Sequence, residues 1–195
     1  SMKVEIITDQ HFVSVLSNQK VFYGDNYNRH NQLKDDLLEF LENHEDVQQR
    51  KTNVKATTTD WNMNIESREL DKFKDGVLDF MLNIPFDMDD GLGRYQGRRN
   101  FRLIDCWGNI YRKGDYTVDH IHLPSQYSWV YFLKSKPNYS PLLFDYWDQK
   151  KRKIKSVKIL PIESRIVVFP SNLHHRVPVH IHDETRITMS GNIQQ

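Results

Sequence analysis

Tyr116-Thr-Val-Asp-His-Ile-His-Leu-Pro-Ser125 is an alternating run that reaches His122 and then breaks at Pro124. In an extended strand successive side chains point to opposite faces, so the imidazoles of His120 and His122 share a face and can meet one metal ion. Working outward, a second imidazole pair, His174-His175, stands behind Phe169-Pro-Ser171, and Arg186 follows in the last β-prone run. A His-x-His, a distant histidine and a late arginine are therefore spread through a region of one texture.

That texture is short strands. Eight runs rich in β-branched and aromatic residues cover 101–111, 116–122, 127–133, 141–147, 154–160, 164–169, 176–181 and 185–193, separated by Gly114-Asp115, Pro124, Pro137, Pro161 and Pro170. The series predicts a sandwich or barrel such as a jelly roll. Ahead of it, Lys3-Val-Glu-Ile-Ile-Thr8 reads as a short strand and Tyr23-Gly-Asp-Asn-Tyr-Asn28 as a turn. Leu33, Leu37, Leu38 and Leu41 recur at helical spacing within 31–49. Thr57-Thr-Thr-Asp60 reads as a turn. A second helix opens at Ser67 as N-cap, with Glu69 and Asp71 in its first turn and a stripe of Leu70, Phe73, Val77, Phe80 and Met81. Pro85, Gly91, Gly93 and Gly97 mark 83–100 as a loop. The expectation is a single domain over 1–195, with a helical support region and loop over 3–100 and a β core over 101–195.

Composition narrows the function classes. With 27 Lys and Arg against 26 Asp and Glu there is no overall basic footprint, so nucleic acid is not expected as a partner. The local run Lys150-Lys-Arg-Lys153, with Lys155 and Lys158, reads as a solvated edge strand or hairpin. Four Trp, nine Tyr and ten Phe argue against disorder. The one cysteine, Cys106, excludes an intrachain disulfide and a cysteine-based zinc site. No apolar run approaches a membrane span and no signal peptide is evident, so the expected location is the cytoplasm, or the host cytoplasm if the protein is viral. Ser1 ahead of Met2 reads as an addition before the natural start.

The nine histidines do not all point to a site. His11, His30 and His44 lie in the helical part with no partner at ligand spacing. His180 and His182 also alternate on one face, so the spacing alone is not distinctive. Arg186, Thr188, Ser190 and Asn192 share a strand face opposite Ile187, Met189 and Ile193. A polar row of this kind normally faces solvent. If it faces the interior, Arg186 becomes a buried bidentate anchor for a ligand carboxylate, with Thr188 adding a hydroxyl.

In combination these residues resemble the iron- and 2-oxoglutarate-dependent oxygenases, most closely hydroxylases of phage and bacterial genomes that are distantly similar to prolyl 4-hydroxylases. The resemblance is carried by Trp107-Gly-Asn-Ile110, His120-Ile-His-Leu-Pro-Ser125, Ser128-Trp-Val-Tyr-Phe-Leu133, Pro141-Leu-Leu-Phe-Asp145, Ile166-Val-Val-Phe-Pro-Ser171, Leu173-His-His-Arg-Val177 and Arg186-Ile-Thr-Met-Ser-Gly-Asn192. It implies a double-stranded β-helix, a cupin-like jelly roll with the N-terminal helices packed outside. It also implies Fe(II), 2-oxoglutarate as co-substrate, and dioxygen. His120, His122 and His175 would be the metal ligands, and His174 would sit on the opposite face. Arg186 and Thr188 would hold the far carboxylate of 2-oxoglutarate, and Ser128, Val130 and Phe132 would line the same pocket.

Two positions depart from the family pattern. His122 stands where an acid is usual in the two-histidine, one-carboxylate triad, and Asp119 or Asp145 are the candidates to supply a carboxylate instead. Phe132 stands where relatives often carry a tyrosine. The implied reaction is hydroxylation of an unactivated C–H bond, in a peptidyl residue such as proline or in a small molecule, and Trp107, Tyr111, Trp129 and Tyr131 are candidates to wall the pocket. Two rival readings remain: a cupin-like three-histidine metalloenzyme, either a zinc hydrolase or a co-substrate-independent dioxygenase, and a jelly-roll binding module without metal.

Overall fold

The β-prone texture pairs into two antiparallel sheets whose facing sides bury apolar residues between them. The computed structural model describes residues 2–6, 20–43, 53–63, 65–84, 100–148 and 150–195. Most of the expected loop, the far end of the first helix over 44–49, and His11 and His44 lie outside them. In chain order the elements are β1 (Met2–Ile6), β2 (Lys20–Gly24), α1 (His30–Asn43), β3 (Val54–Lys55), β4 (Thr57–Thr58), α2 (Arg68–Asn83), β5 (Arg102–Leu103), β6 (Trp107–Tyr111), β7 (Tyr116–His120), β8 (Tyr127–Lys134), β9 (Leu142–Asp148), β10 (Lys153–Ile159), β11 (Ile166–Pro170), β12 (His175–Val177) and β13 (Arg186–Gln194). The larger sheet runs β1-β2-β11-β8-β13-β6-β4, with β5 also paired to β13, and the smaller runs β10-β9-β12-β7-β3. From β6 to β9 and again from β10 to β13, successive strands alternate between the sheets. That is the expected jelly roll, mainly β, with two helices among the described residues.

The larger sheet is buried on both faces. On the inner face Val21, Phe132, Val167 and Phe169 meet Leu142, Phe144 and Val177 of the smaller sheet. On the outer face Trp129, Tyr131, Leu133, Val168, Ile187 and Met189 pack with Leu33, Leu37 and Leu41 of α1 and with Leu70, Phe73, Val77 and Met81 of α2. Strands covered on both sides read as continuous apolar runs, which explains Ile166-Val-Val-Phe169. Helix α2 starts where the sequence places it: Ser67 is extended and its side chain accepts a hydrogen bond from the Leu70 N–H at 3.1 Å. Helix α1 lies close on β6 because residue 108 is glycine; a Cβ there would come within 2.5 Å of the Leu41 side chain.

Several boundaries differ from expectation for identifiable reasons. Thr57-Thr58 forms β4 against Ile110 and Asn109 instead of a turn, as suits β-branched residues at a buried sheet edge. Tyr23 and Gly24 end β2, and the turn follows them, with Asn26 at a φ of 66°. The first hundred residues therefore supply strands to both sheets as well as helices. The expected 101–111 strand splits, because Ile104 N–H bonds the Asn192 carbonyl and Cys106 N–H bonds the Trp61 carbonyl. The expected 116–122 strand ends at His120, since the His122 N–H is taken by the Ser171 carbonyl at 2.8 Å. In place of 176–181, β12 covers only His175–Val177.

Gly191 is the tightest point of the sheet. A Cβ there would lie 2.5 Å from the Asp105 backbone carbonyl and 2.6 Å from the Trp129 ring. Gly191→Ala should lower the unfolding free energy by about 1–3 kcal/mol through overpacking, read as a lower urea midpoint at unchanged slope. A variant as stable as the parent would show that the β13–β8 contact has room to relax.

Candidate metal centre

Strand pairing builds the centre. His120 closes β7, His175 opens β12, and the two residues are direct cross-strand partners. His122 comes from the turn after β7, which is tied to the β11–β12 connection by the His122 N–H to Ser171 carbonyl bond and by the Ser171 N–H to Gln126 carbonyl bond. The ligand nitrogens of the three histidines lie within 4.8 Å of one another. Ring centroids are 4.7 Å apart for His120 and His122, 4.2 Å for His120 and His175, and 5.0 Å for His122 and His175.

Two of the imidazoles are oriented by backbone. His120 Nδ1 faces the Val118 carbonyl at 2.8 Å, and His175 Nδ1 faces the Leu173 carbonyl at 2.9 Å. A carbonyl only accepts, so each Nδ1 carries the proton and each Nε2 offers a lone pair. His120 Nε2 and His122 Nε2 stand 3.1 Å apart. Imidazole–metal bonds of about 2.1 Å meeting near a right angle separate two nitrogens by about 3.0 Å, so this spacing fits a shared divalent ion. His175 is 4% exposed. Burial, and after it the neighbouring His120 and His122, hold its pKa well below the usual histidine range, which keeps it neutral for ligation.

No carboxylate belongs to this cluster among the described residues. Asp119 is paired with His174, Oδ2 to Nδ1 at 2.7 Å, on the exposed side of the strand. Asp145 accepts from Arg176 Nε at 2.6 Å and from the Ser156 hydroxyl. Burial would raise the Asp145 pKa, but these bonds outweigh it and hold it below the usual value. Of the other histidines, His180 is buried against the Glu184 carbonyl at 2.6 Å and His182 faces the Asn138 carbonyl at 3.2 Å. Burial pushes the Cys106 thiol up to about 12, so it offers no thiolate.

The three histidines border a cavity of about 620 Å³ that also takes in Arg186, Thr188, Ser190 and Asn192, so the polar row of β13 faces inward. Arg186 is 1% exposed. Its Nε donates to the Ser140 carbonyl at 3.0 Å, and its guanidinium lies over the Tyr111 and Phe132 rings at 4.6 and 5.4 Å. Its Nη1 and Nη2 have no hydrogen-bond partner among the described residues. A buried cation with two bare donors calls for an anion with paired oxygens. Ser128 does not border the cavity; its hydroxyl meets the Ser171 hydroxyl at 3.0 Å and Asn192 Oδ1 at 2.8 Å. Trp107, Tyr111 and Trp129 wall the cavity, whereas Tyr131 lies among the helices, 2.5 Å from His30 Nδ1. Sequence reasoning gave no role to Asn109, which is bonded to Thr188 and Ser190 inside the cavity. An asparagine buried in an otherwise apolar strand was the available signal.

Residues 105–192, somewhat under half the chain, match the model of the family described as "Putative 2OG-Fe(II) oxygenase". A comparison with curated proteins returned no match. Among solved structures, a prolyl-4-hydroxylase from Pseudomonas putida superposes with a TM-score of 0.65 at 14% identity, over 90% of this chain and 92% of that one. The viral collagen prolyl hydroxylase of Paramecium bursaria Chlorella virus-1, in its 2-oxoglutarate complex, gives 0.61 at 14% identity, over 89% and 94%. A prolyl hydroxylase from Trichoplax adhaerens, in complex with a hypoxia inducible factor oxygen degradation domain peptide fragment, gives 0.62 at 17% identity, over 89% and 82%. At these identities the likeness is one of fold.

If the three imidazoles hold a divalent ion, His175→Ala should weaken Mn(II) or Fe(II) binding by more than about a hundredfold, beyond what loss of an outlying partner costs. His174→Ala should leave it within about threefold. Anaerobic metal titration reads both, and equal losses would remove His175 from the ligand set.

Proposed function

From the premise that the matched β core is that of an iron(II)- and 2-oxoglutarate-dependent oxygenase, we propose that this chain hydroxylates an unactivated C–H bond, with His120, His122 and His175 holding the iron. The observation that carries the reading is Arg186: a guanidinium with both terminal amines bare inside a cavity bordered by three convergent histidines. A hydrolytic zinc site has no use for such an anchor, whereas a dicarboxylate co-substrate needs one.

When bound, ferrous iron with 2-oxoglutarate and dioxygen supplies the oxidising power, and the products are succinate, carbon dioxide and the hydroxylated substrate. The chain's own residues do the rest. Arg186, with its two terminal amines and Thr188 beside it, would hold the far carboxylate of 2-oxoglutarate. The Tyr111 and Phe132 rings flank the guanidinium and exclude water, which strengthens its pull on the anion. Ser128 works at one remove, holding Asn192 and Ser171 in place. Three neutral imidazoles would leave the charge of a bound ion uncompensated, which would favour a dianionic co-substrate.

Substrate enters from the side of Trp61 and Leu123, which border the cavity and are 51% and 62% exposed. Trp61 meets Trp107 edge-on at 4.8 Å. An apolar rim of this kind suits a ring or aliphatic side chain presented by a peptide, and a peptidyl residue such as proline is the proposed substrate. The prolyl hydroxylases of similar fold support that choice.

The test is succinate release from 2-oxoglutarate by iron-loaded protein on addition of oxygen, with 2-oxoglutarate binding measured on the same samples. Wild type should turn over slowly even without substrate, and Arg186→Ala should lose at least about a hundredfold in 2-oxoglutarate affinity, as expected for truncating a buried charged partner. Iron binding without 2-oxoglutarate binding would favour a three-histidine enzyme of another class, and binding of neither would end the enzymatic reading.

A further inference from the structure

The inner face of β13 is a line of donors. Arg186 pairs across the strand with Tyr111, Thr188 with Asn109, and Ser190 with Trp107. The Trp107 ring lies 5.9 Å from that of His122, so the row runs from the guanidinium at one end to the histidine cluster at the other. Between them Asn109 is bonded on three sides. The Trp107 indole N–H donates to Asn109 Oδ1 at 3.1 Å, and Asn109 Nδ2 donates to Thr188 Oγ1 at 3.2 Å and to Ser190 Oγ at 3.1 Å.

Donor and acceptor chemistry allows one arrangement of these protons. An indole N–H only donates, so the atom facing it is the amide oxygen, and the amide nitrogen must face the two hydroxyls. Both amide protons are then used. Each hydroxyl oxygen accepts one of them, and neither hydroxyl donates to any atom among the described residues. Thr188 and Ser190 are buried, so each has a proton committed to nothing but the cavity. With Arg186 Nη1 and Nη2 the wall presents four donor atoms without an acceptor among the described residues.

We propose that Asn109, oriented by Trp107, is a positioning residue that fixes the hydroxyls of Thr188 and Ser190 as donors along the length of bound 2-oxoglutarate. This rests on the reading of the cavity given above and deepens it. Selectivity follows from the same arrangement. A ligand with oxygen acceptors at both ends satisfies the row, whereas an amine brings a second cation to the Arg186 guanidinium and leaves its two terminal amines unpaired. Replacing the amide by a carboxylate would draw both hydroxyl protons back to residue 109 and present lone pairs to the ligand.

The experiment measures 2-oxoglutarate affinity by anaerobic calorimetry on Mn(II)-loaded protein, together with Mn(II) affinity and the thermal midpoint. The proteins are wild type, Asn109→Ala, Asn109→Asp, the pair Thr188→Val with Ser190→Ala, and that pair combined with Asn109→Ala. Asn109→Ala should bind 2-oxoglutarate roughly tenfold more weakly, and the isosteric Asn109→Asp roughly a hundredfold more weakly. Mn(II) affinity should stay within about threefold of wild type in the alanine variant. In the background without hydroxyls, Asn109→Ala should cost less than about twofold, because the residue acts only through them. A purely structural role would give the same loss in both backgrounds and would make the isosteric variant the milder one; either result overturns the inference. Wild type that fails to bind 2-oxoglutarate would overturn the reading of the cavity and this inference with it. Unchanged affinity in both single variants, beside a wild type that binds, would overturn the inference alone.

Discussion

A guanidinium buried to 1% exposure, with two amines that no described residue bonds, is the constraint around which this fold is arranged. A cation in that position is tolerated only where the surroundings are fixed and an anion can reach it. Strand β13 supplies the fixed surroundings, since every residue from Arg186 to Ile193 is buried. One face, with Ile187, Met189 and Ile193, is clamped by the helices; the other carries Arg186, Thr188, Ser190 and Asn192 into the cavity. A one-residue slip would exchange the two faces, driving an arginine into the helices and a methionine into the site. The outer core therefore sets the register on which the inner chemistry depends.

Charge links the two ends of the cavity. Under the proposed function the bound ion would keep its double charge, because all three side-chain ligands are neutral. Arg186 adds another positive charge at the other end of the β13 row. A dianion is the complementary guest, and the Trp107–Asn109 pair extends that complementarity to the uncharged donors between the ends. The carboxylates that might have relieved the charge are engaged elsewhere, Asp119 with His174 and Asp145 with Arg176.

Much of this was legible from side-chain period and motif order. The inward row of β13 followed from alternation, although alternation alone could not say which face was wet; the answer depended on whether the helices covered Ile187 and Met189, a tertiary fact. The Ser67 cap was legible because capping is local chemistry. Strands β2 and β4 were missed because Tyr23-Gly24 and Thr57-Thr58 adjoin Asp, Asn and further turn-forming residues, and the strands exist only through pairing with β11 and β6, distant in sequence. His122 was grouped with His120 by strand alternation, which holds only in part: the strand stops at His120, and it is the turn, tied down at Ser171, that brings the third imidazole near. Asn109 gave only the weak signal of an amide among apolar strand residues, because its two hydroxyl partners lie roughly eighty positions away.

The pairing of His120 with His175 also bears on how the protein resists unfolding. The two residues are far apart in the chain and belong to strands that meet only in the folded sheet. An ion held by both, and by His122 in the turn between β7 and β8, would act as a removable cross-link closing a long loop, with stabilisation that grows with free metal concentration relative to its dissociation constant. Loading state would then govern lifetime as well as chemistry. A chain that lost its ion would lose its tether at the junction of the smaller sheet, where β12 is only three residues long, and that junction would be the first part of the β core to open.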